Sequence, residues 1–285
     1  MQFSTVAMIL TAAVAHAVWN IASKYKREDT LVFVWAYSCA SALLWVPFSL
    51  ILIVEGQQEL DWRLAVGAVI SSALHIAYSL ILQAGYERAE LGVVYPIARG
   101  SGPVLTILFA TLLMGERLSP GALLGAFIVI AGIFVVTGNP FRSGSRPLQG
   151  MLWGAATGTA IAGYTLWDGY SVISLHLDPV SYYASTLLLQ SLILTPGAMR
   201  RRNRIPTAVR VDIIPILIIA VCSPLAYILV LTAMQSMPLA LVAPLRETSI
   251  IVGSLLSYWL FRENHLARRI AGAVVVLTGI AIISH

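Results

Sequence analysis

Residues 91–118 read LGVVYPIARGSGPVLTILFATLLMGERL, and residues 239–264 read LALVAPLRETSIIVGSLLSYWLFREN, a second version of much the same text. Each is apolar and long enough for a helix, carries an arginine in its interior, and ends on a glutamate beside an arginine. At one constant offset Arg99 falls on Arg246, Glu116 on Glu263, Gly125 on Gly272 and Gly132 on Gly279. A charge inside an apolar helix is costly, so an arginine at the same depth of two matching helices points to a shared purpose.

Composition sets the class. Hydrophobic residues make up 58% of the chain and charged ones 11%, with mean hydropathy +0.84. That balance excludes a soluble domain and predicts an all-α integral membrane protein whose surroundings are a lipid bilayer. The net charge of +5 would suit a nucleic-acid partner. The lysines and arginines, however, sit in short connections between apolar runs, where they orient a membrane protein, and no nucleic acid is expected. Cys39 and Cys222 lie inside apolar runs without metal-ligand spacing and read as small buried hydrophobes. The first apolar run lacks a basic leader and is long enough to be a span rather than a signal peptide.

A span needs about 20 mostly apolar residues. Ten segments meet this: Ser4 to Ala22, Thr30 to Val54, Arg63 to Gly85, Leu91 to Met114, Pro120 to Thr137, Gly150 to Val172, Pro179 to Ala198, Val211 to Gln235, Leu239 to Phe261 and Leu266 to Ser284. The Gly/Pro/Ser-rich stretch 138–149 divides them into a first repeat, 1–137, and a second, 150–285. Trp19-Asn20 in the first span also matches Trp167-Asp168 in the sixth, with His16 on Tyr164 and Ser23 on Ser171. Five spans per half force the second half to enter the membrane upside down. Among the Lys and Arg of the connections, only Arg63 and Arg117 fall in even-numbered ones. The excess of positive charge therefore places the odd connections in the cytoplasm and both termini outside.

The stretch 91–132, with Pro103, Gly115-Glu116-Arg117-Leu118, Gly125 and Gly132, resembles the EamA domain of the drug/metabolite transporter superfamily. Residues 239–279 resemble a second copy, in which Ile250 replaces the proline and Arg262-Glu263-Asn264 replaces Gly-Glu-Arg. The resemblance spans essentially the whole chain. It implies a ten-span secondary transporter of the bacterial inner membrane, a fold in inverted repeats, and a small-molecule substrate. Members export amino acids, other metabolites or toxic compounds, or carry sugar phosphates and nucleotide sugars. The chain looks most like the branch that exports neutral and aromatic amino acids.

Within this frame Arg99 and Arg246 are candidates to grip a carboxylate or phosphate through charge-assisted, bidentate contacts. Arg246 has an alternative partner in the adjacent Glu247, read as the only acid at depth. Tyr95 precedes Arg99 by one turn on the same face, and Pro96, Gly100, Gly102 and Pro103 weaken that helix, either as a break at a substrate site or as a kink with close packing. His75 and Tyr78 share a face of the third span, a polar and titratable pair suited to a cavity wall or to proton exchange. His16 with Trp19 and Tyr164 with Trp167 form similar faces, the tryptophans as gates or as interfacial anchors. His75, Glu247 and Asp168 are the candidates for proton binding. An enzyme would need His16, His75, Asp168 and Glu247 as a cluster, and their spacing matches no metal or nucleophile arrangement. No cofactor motif is present. Two repeats in one chain make a monomer sufficient to build a site.

Overall fold

The computed structural model describes residues 3–89, 91–137, 147–249, 252 and 266–284, and the described residues are helical without strands. The helices are α1 (Phe3–Lys24), α2 (Thr30–Val54), α3 (Trp62–Arg88), α4 (Leu91–Leu113), α5 (Pro120–Thr137), α6 (Pro147–Ile173), α7 (Pro179–Arg200), α8 (Ile205–Val211), α9 (Ile213–Met234), α10 (Leu239–Arg246) and α11 (Leu266–Ser284). Short acidic punctuation starts several of them. Asp29 accepts from the Leu31 and Val32 amides, Asp61 from Arg63 and Leu64, and Asp178 from Ser181, so each carboxylate satisfies amides that the first turn leaves unpaired.

Among the described residues, Thr30–Val54, Trp62–Leu82 and Ile213–Met234 are long and apolar enough to cross a membrane; Ala7–Ser23, Ile97–Leu113, Pro120–Val135 and Ile270–Ile282 are shorter apolar helices. Large apolar side chains such as Leu43, Leu112, Leu152 and Ile214 face outward, while Ser38, Ser71, Thr157 and Thr186 are buried. Lipid rather than water explains that arrangement.

The helices pack in pairs that cross the chain's midpoint: α5 on α11, α4 on α6, α2 on α7, α1 on α9, and α3 on α6 and α7. Glycines set two of these crossings. A Cβ at Gly132 would lie 2.5 Å from Val276 Cγ2, and one at Gly279 would lie 2.7 Å from the Gly125 carbonyl oxygen, so α5 and α11 run antiparallel with backbones nearly touching. A Cβ at Gly154 would meet Ile97, and one at Gly158 would meet Ser101 and the Gly102 nitrogen, so α4 and α6 run parallel. Trp35 Nε1 donates to Thr195 Oγ1, Thr5 Oγ1 bonds Ser236 Oγ, and His75 on α3 meets Asp168 on α6.

The connections meet in matching groups. Asp212 accepts from the Arg27 and Glu28 amides, and Asp29 pairs with Arg201 and Arg204, which joins the α1–α2 turn to the α7–α9 segment. Gln58 accepts from the Asp178 amide, and Glu116 accepts from the Leu239 and Ala240 amides at 2.7 and 2.9 Å, capping α10.

One sequence expectation needs correction. The helix expected over Leu239 to Phe261 stops at Arg246: Glu247 and Thr248 form a turn, and helix resumes at Ser249. Pro244 supplies no amide to the ladder, and the Glu247 and Thr248 amides reach back only three residues, to the Pro244 and Leu245 carbonyls, which tightens the turn until it ends the helix. Of the two readings offered for α4, the structure agrees with close packing: the helix is continuous, and Gly100 and Gly102 pack against Phe134 and Ile161. The connection between α7 and α9, rich in arginine, holds a 3-10 turn (Arg202–Arg204) followed by α8, which leads into α9 through Asp212. The Arg262-Glu263-Asn264 end of the second copy, the sequence partner of Glu116, lies outside the described residues.

Candidate functional site

Arg99 comes from the middle of α4, and Arg246 and Glu247 from the interruption that ends α10. All three are buried, with exposures of 8%, 4% and 0%. Arg99 Nη1 donates to Glu247 Oε2 at 2.8 Å. Arg246 donates to the other carboxylate oxygen from Nη2 at 3.3 Å and from Nε at 3.4 Å, and its Nη1 reaches Thr165 Oγ1 at 3.4 Å. His16 Nε2 lies 3.5 Å from Arg99 Nη2. One carboxylate thus bridges two guanidiniums from the two halves of the chain, and the triad carries one surplus positive charge. The sequence reading paired Glu247 with Arg246 alone; the wider pairing follows from α10 ending beside α4.

Tyr164 is the hinge between this triad and a second polar group. Its ring lies under the Arg246 guanidinium at 5.8 Å and stacks on His75 at 4.2 Å, with Tyr78 at 5.4 Å. His75 Nε2 is 2.9 Å from Asp168 Oδ2. The Tyr182 hydroxyl donates to Asp168 Oδ1 at 2.6 Å and the Tyr227 hydroxyl to Oδ2 at 2.5 Å. Asp168 is fully buried. The expectation of a single deep acid is therefore wrong: α3, α7 and α9 close over the Asp168 carboxylate with a partner each.

Of the residues expected at a site, the structure brings together His16, His75, Tyr78, Arg99, Tyr164, Arg246 and Glu247. Trp19 joins through an edge-on contact with His16 at 4.9 Å, and its buried indole Nε1 has no hydrogen-bond partner among the described residues. Trp167 turns away from the triad, donating to the Gly67 carbonyl at 3.0 Å and lying beside Tyr170. The side chain of Tyr95 lies outside the described residues. Tyr182, Tyr183, Tyr227 and Thr165 were missed by sequence reasoning. Of these only Tyr227, an isolated phenol in the apolar run of α9, carried a signal that could have been read.

Chemically, the arrangement offers two cations and one anion within hydrogen-bond reach of each other, walled by aromatic rings. Removing one partner of such a buried pair costs about 3 to 5 kcal/mol, so the triad is either filled by its own partners, as here, or by a ligand that replaces one. Among the described residues no group of three His, Cys, Asp or Glu could hold a metal ion.

Comparison with known proteins gives the family of the chain. The model of the EamA-like transporter family matches residues 3–138 and again 148–285. A multidrug transporter of Pseudomonas aeruginosa is 41% identical over 61 residues, which are 21% of this chain and 54% of that protein, so the chain spans about half the length of that curated relative. A solved crystal structure superposes with a TM-score of 0.78 at 16% identity, covering 100% of this chain and 99% of the other, a likeness of fold alone. With its family model matched along nearly the whole length, the chain belongs to the EamA-like transporter family, a membrane-protein family of the drug/metabolite transporter superfamily.

Proposed function

We propose that the chain is a secondary transporter exporting neutral and aromatic amino acids by alternating access around the Arg99–Glu247–Arg246 triad. The observation that carries the reading is the bridging carboxylate. A zwitterionic amino acid matches both signs of the triad: its carboxylate takes over a guanidinium while its ammonium takes the released Glu247 oxygen. Its side chain lies against Tyr78, Tyr164, His16 and Trp19. Membership of the amino-acid exporter branch belongs to the same proposal.

The same reading holds ten spans in two inverted repeats, 1–137 and 150–285 joined by 138–149, in a bacterial inner membrane with both termini outside and one chain forming the whole site. It is supported by the two matches of the family model and by helix directions. Helices α5 and α11, equivalent spans of the two halves, are antiparallel, as inversion requires, and α4 and α6, both even-numbered spans, are parallel, as a chain that crosses alternately requires. The interrupted α10 supplies turn backbone beside the site, the place where inverted-repeat transporters bind substrate.

Counterflow into proteoliposomes preloaded with threonine, phenylalanine or tryptophan tests this. Saturable exchange that collapses in Arg99→Ala supports the carboxylate grip, provided the variant keeps its thermal transition. Exchange of a phosphate ester alone indicates a carrier of organic anions or sugar phosphates. A second reading, an exporter of toxic cations, is favoured by the Pseudomonas relative named as a multidrug transporter and by the fully buried Asp168. Exchange of methyl viologen, abolished in Asp168→Asn and not in Arg99→Ala, would establish it instead.

A further inference from the structure

The carboxylate of Asp168 collects one partner from each of three other helices. His75 from α3, Tyr182 from α7 and Tyr227 from α9 all lie within 2.9 Å of it. Both phenols donate, and so does His75 Nε2 if the carboxylate is ionised, which leaves Nδ1 as the open position of the imidazole. We propose that the His75–Asp168 pair is a proton-binding site of the transport cycle, taking up one proton from water at His75 Nδ1 and returning it there.

Three observations carry this. First, among the described residues the only basic side chain within salt-bridge distance of Asp168 is an imidazole. A site built only for stability would be served by an arginine or lysine, whose charge does not change near neutral pH, whereas an imidazole changes charge there. Second, exposure is graded: Asp168 is sealed while the His75 side chain keeps 13% of its surface, so the pair has one side from which a proton arrives. Loading turns the pair from a buried anion into a charge-balanced imidazolium–carboxylate pair.

Third, the pair is wired to the substrate triad. Tyr164 stacks on His75 and also lies under the Arg246 guanidinium. Among the described residues the other rings against His75 are phenols, Tyr183 of α7 and Tyr227 of α9, while Tyr78 of its own helix lies edge-on to Tyr164. Beyond Tyr164 stand Arg246 and Glu247 of the α10 interruption, Arg99 of α4 and His16 of α1. The triad's surplus positive charge is offset by the unloaded pair's negative one. A ligand that rearranges the triad thereby changes the field at His75, and proton loading changes the field at the triad. This goes beyond the amino-acid reading, since it holds for any substrate that engages the triad.

The test has two arms. In protein carrying isotope-labelled histidine in lipid nanodiscs, the His75 ring resonances are assigned by their loss in His75→Gln. They are then followed as pH falls from about 8 to about 5, the range in which an imidazole ordinarily changes charge. A ring that gains its Nδ1 proton in wild type, with a displaced titration in Asp168→Asn or, should that variant not fold, in Tyr227→Phe, supports the site. A ring that holds one state throughout overturns it. In the second arm, proteoliposomes containing a pH-sensitive dye are loaded with phenylalanine. Proton movement accompanying phenylalanine flux in wild type, and absent in His75→Gln, supports coupling; flux with no proton movement in wild type overturns it. Failure of phenylalanine to move at all strikes the amino-acid reading instead, and the ring titration still decides this one.

Discussion

Glu247 is the residue on which the buried charges balance, because each of its oxygens holds a different arginine. Glu247→Gln keeps the shape and removes the charge, leaving two guanidiniums in a dry environment. The expected loss is about 3 to 5 kcal/mol of stability, visible as a lowered thermal transition in detergent; a transition within a degree or two of wild type would show that another group neutralises the arginines. At the surface, Asp29 shows the opposite balance. Partial burial pushes its carboxyl upward, but hydrogen bonds from Arg201 and from the Val32 and Leu31 amides outweigh it and hold the group below the usual carboxylate range. A carboxyl lowered by folding stabilises the fold above its unfolded value, and that contribution disappears as pH falls through the folded value. The tie between α2 and the end of α7 should therefore stay intact at neutral pH and loosen only below about pH 3.9, the ordinary aspartate value. Faster hydrogen exchange at Leu31 and Val32 in acid, relative to an Asp29→Asn variant that lacks the acid step, is the measurement.

Helix α6 presents glycines of two kinds, and they make contrasting predictions. Gly158 packs against α4 so closely that a Cβ would sit 2.0 Å from Ser101 Oγ and 3.0 Å from the Gly102 nitrogen, whereas at Gly163 nothing among the described residues lies within 4 Å of the same position. The Ser101 hydroxyl can turn aside but the Gly102 backbone cannot, so Gly158→Ala should cost about 1 to 3 kcal/mol through forced separation of α4 and α6. Gly163→Ala should gain up to about 1 kcal/mol from helix propensity. Paired thermal melts decide it, and equal shifts would refute the packing account. Glycine spacing was legible in the sequence as tight crossings, but which helix each glycine meets was not, because spacing records a face and not a neighbour. The same limit explains the misread α10: Pro244 was visible, yet proline is common in apolar spans, and only the backbone shows that the turn after it closes at Glu247. Glu116 was legible as a repeat landmark but not as a cap. With its carboxylate on the Leu239 and Ala240 amides, Glu116→Ala should cost about 0.5 to 2 kcal/mol, the usual value of an N-cap, and fray α10 next to the triad.

At the scale of the molecule, the class, most of the helices and the equivalence of two arginines could be read from hydropathy and offset, since hydropathy and repetition are one-dimensional signals. Asp168 could not be read as a centre, because its three partners lie on α3, α7 and α9 and converge only in space. Orientation is the molecular property that sequence charge and structure address together. The α1–α2 turn and the α7–α9 segment meet at one end, where Arg200, Arg201, Arg204 and Asp29 line a cleft. Gln58 and Asp178 join the α2–α3 and α6–α7 turns at the other, and because α4 runs parallel to α6, Glu116 lies at that end too. Positive charge favours the cytoplasmic side, so the arginine end should face inward. In a variant with Cys39 and Cys222 replaced by alanine, a cysteine at the exposed Gln57 should react with a membrane-impermeant maleimide in intact cells, whereas one at the exposed Asn203 should react only after permeabilisation. The reverse pattern would invert the protein in the membrane and with it the direction assigned to export. Labelling of both sites in intact cells would mean that the loop charges, crowded though they are at one end, do not select a single orientation.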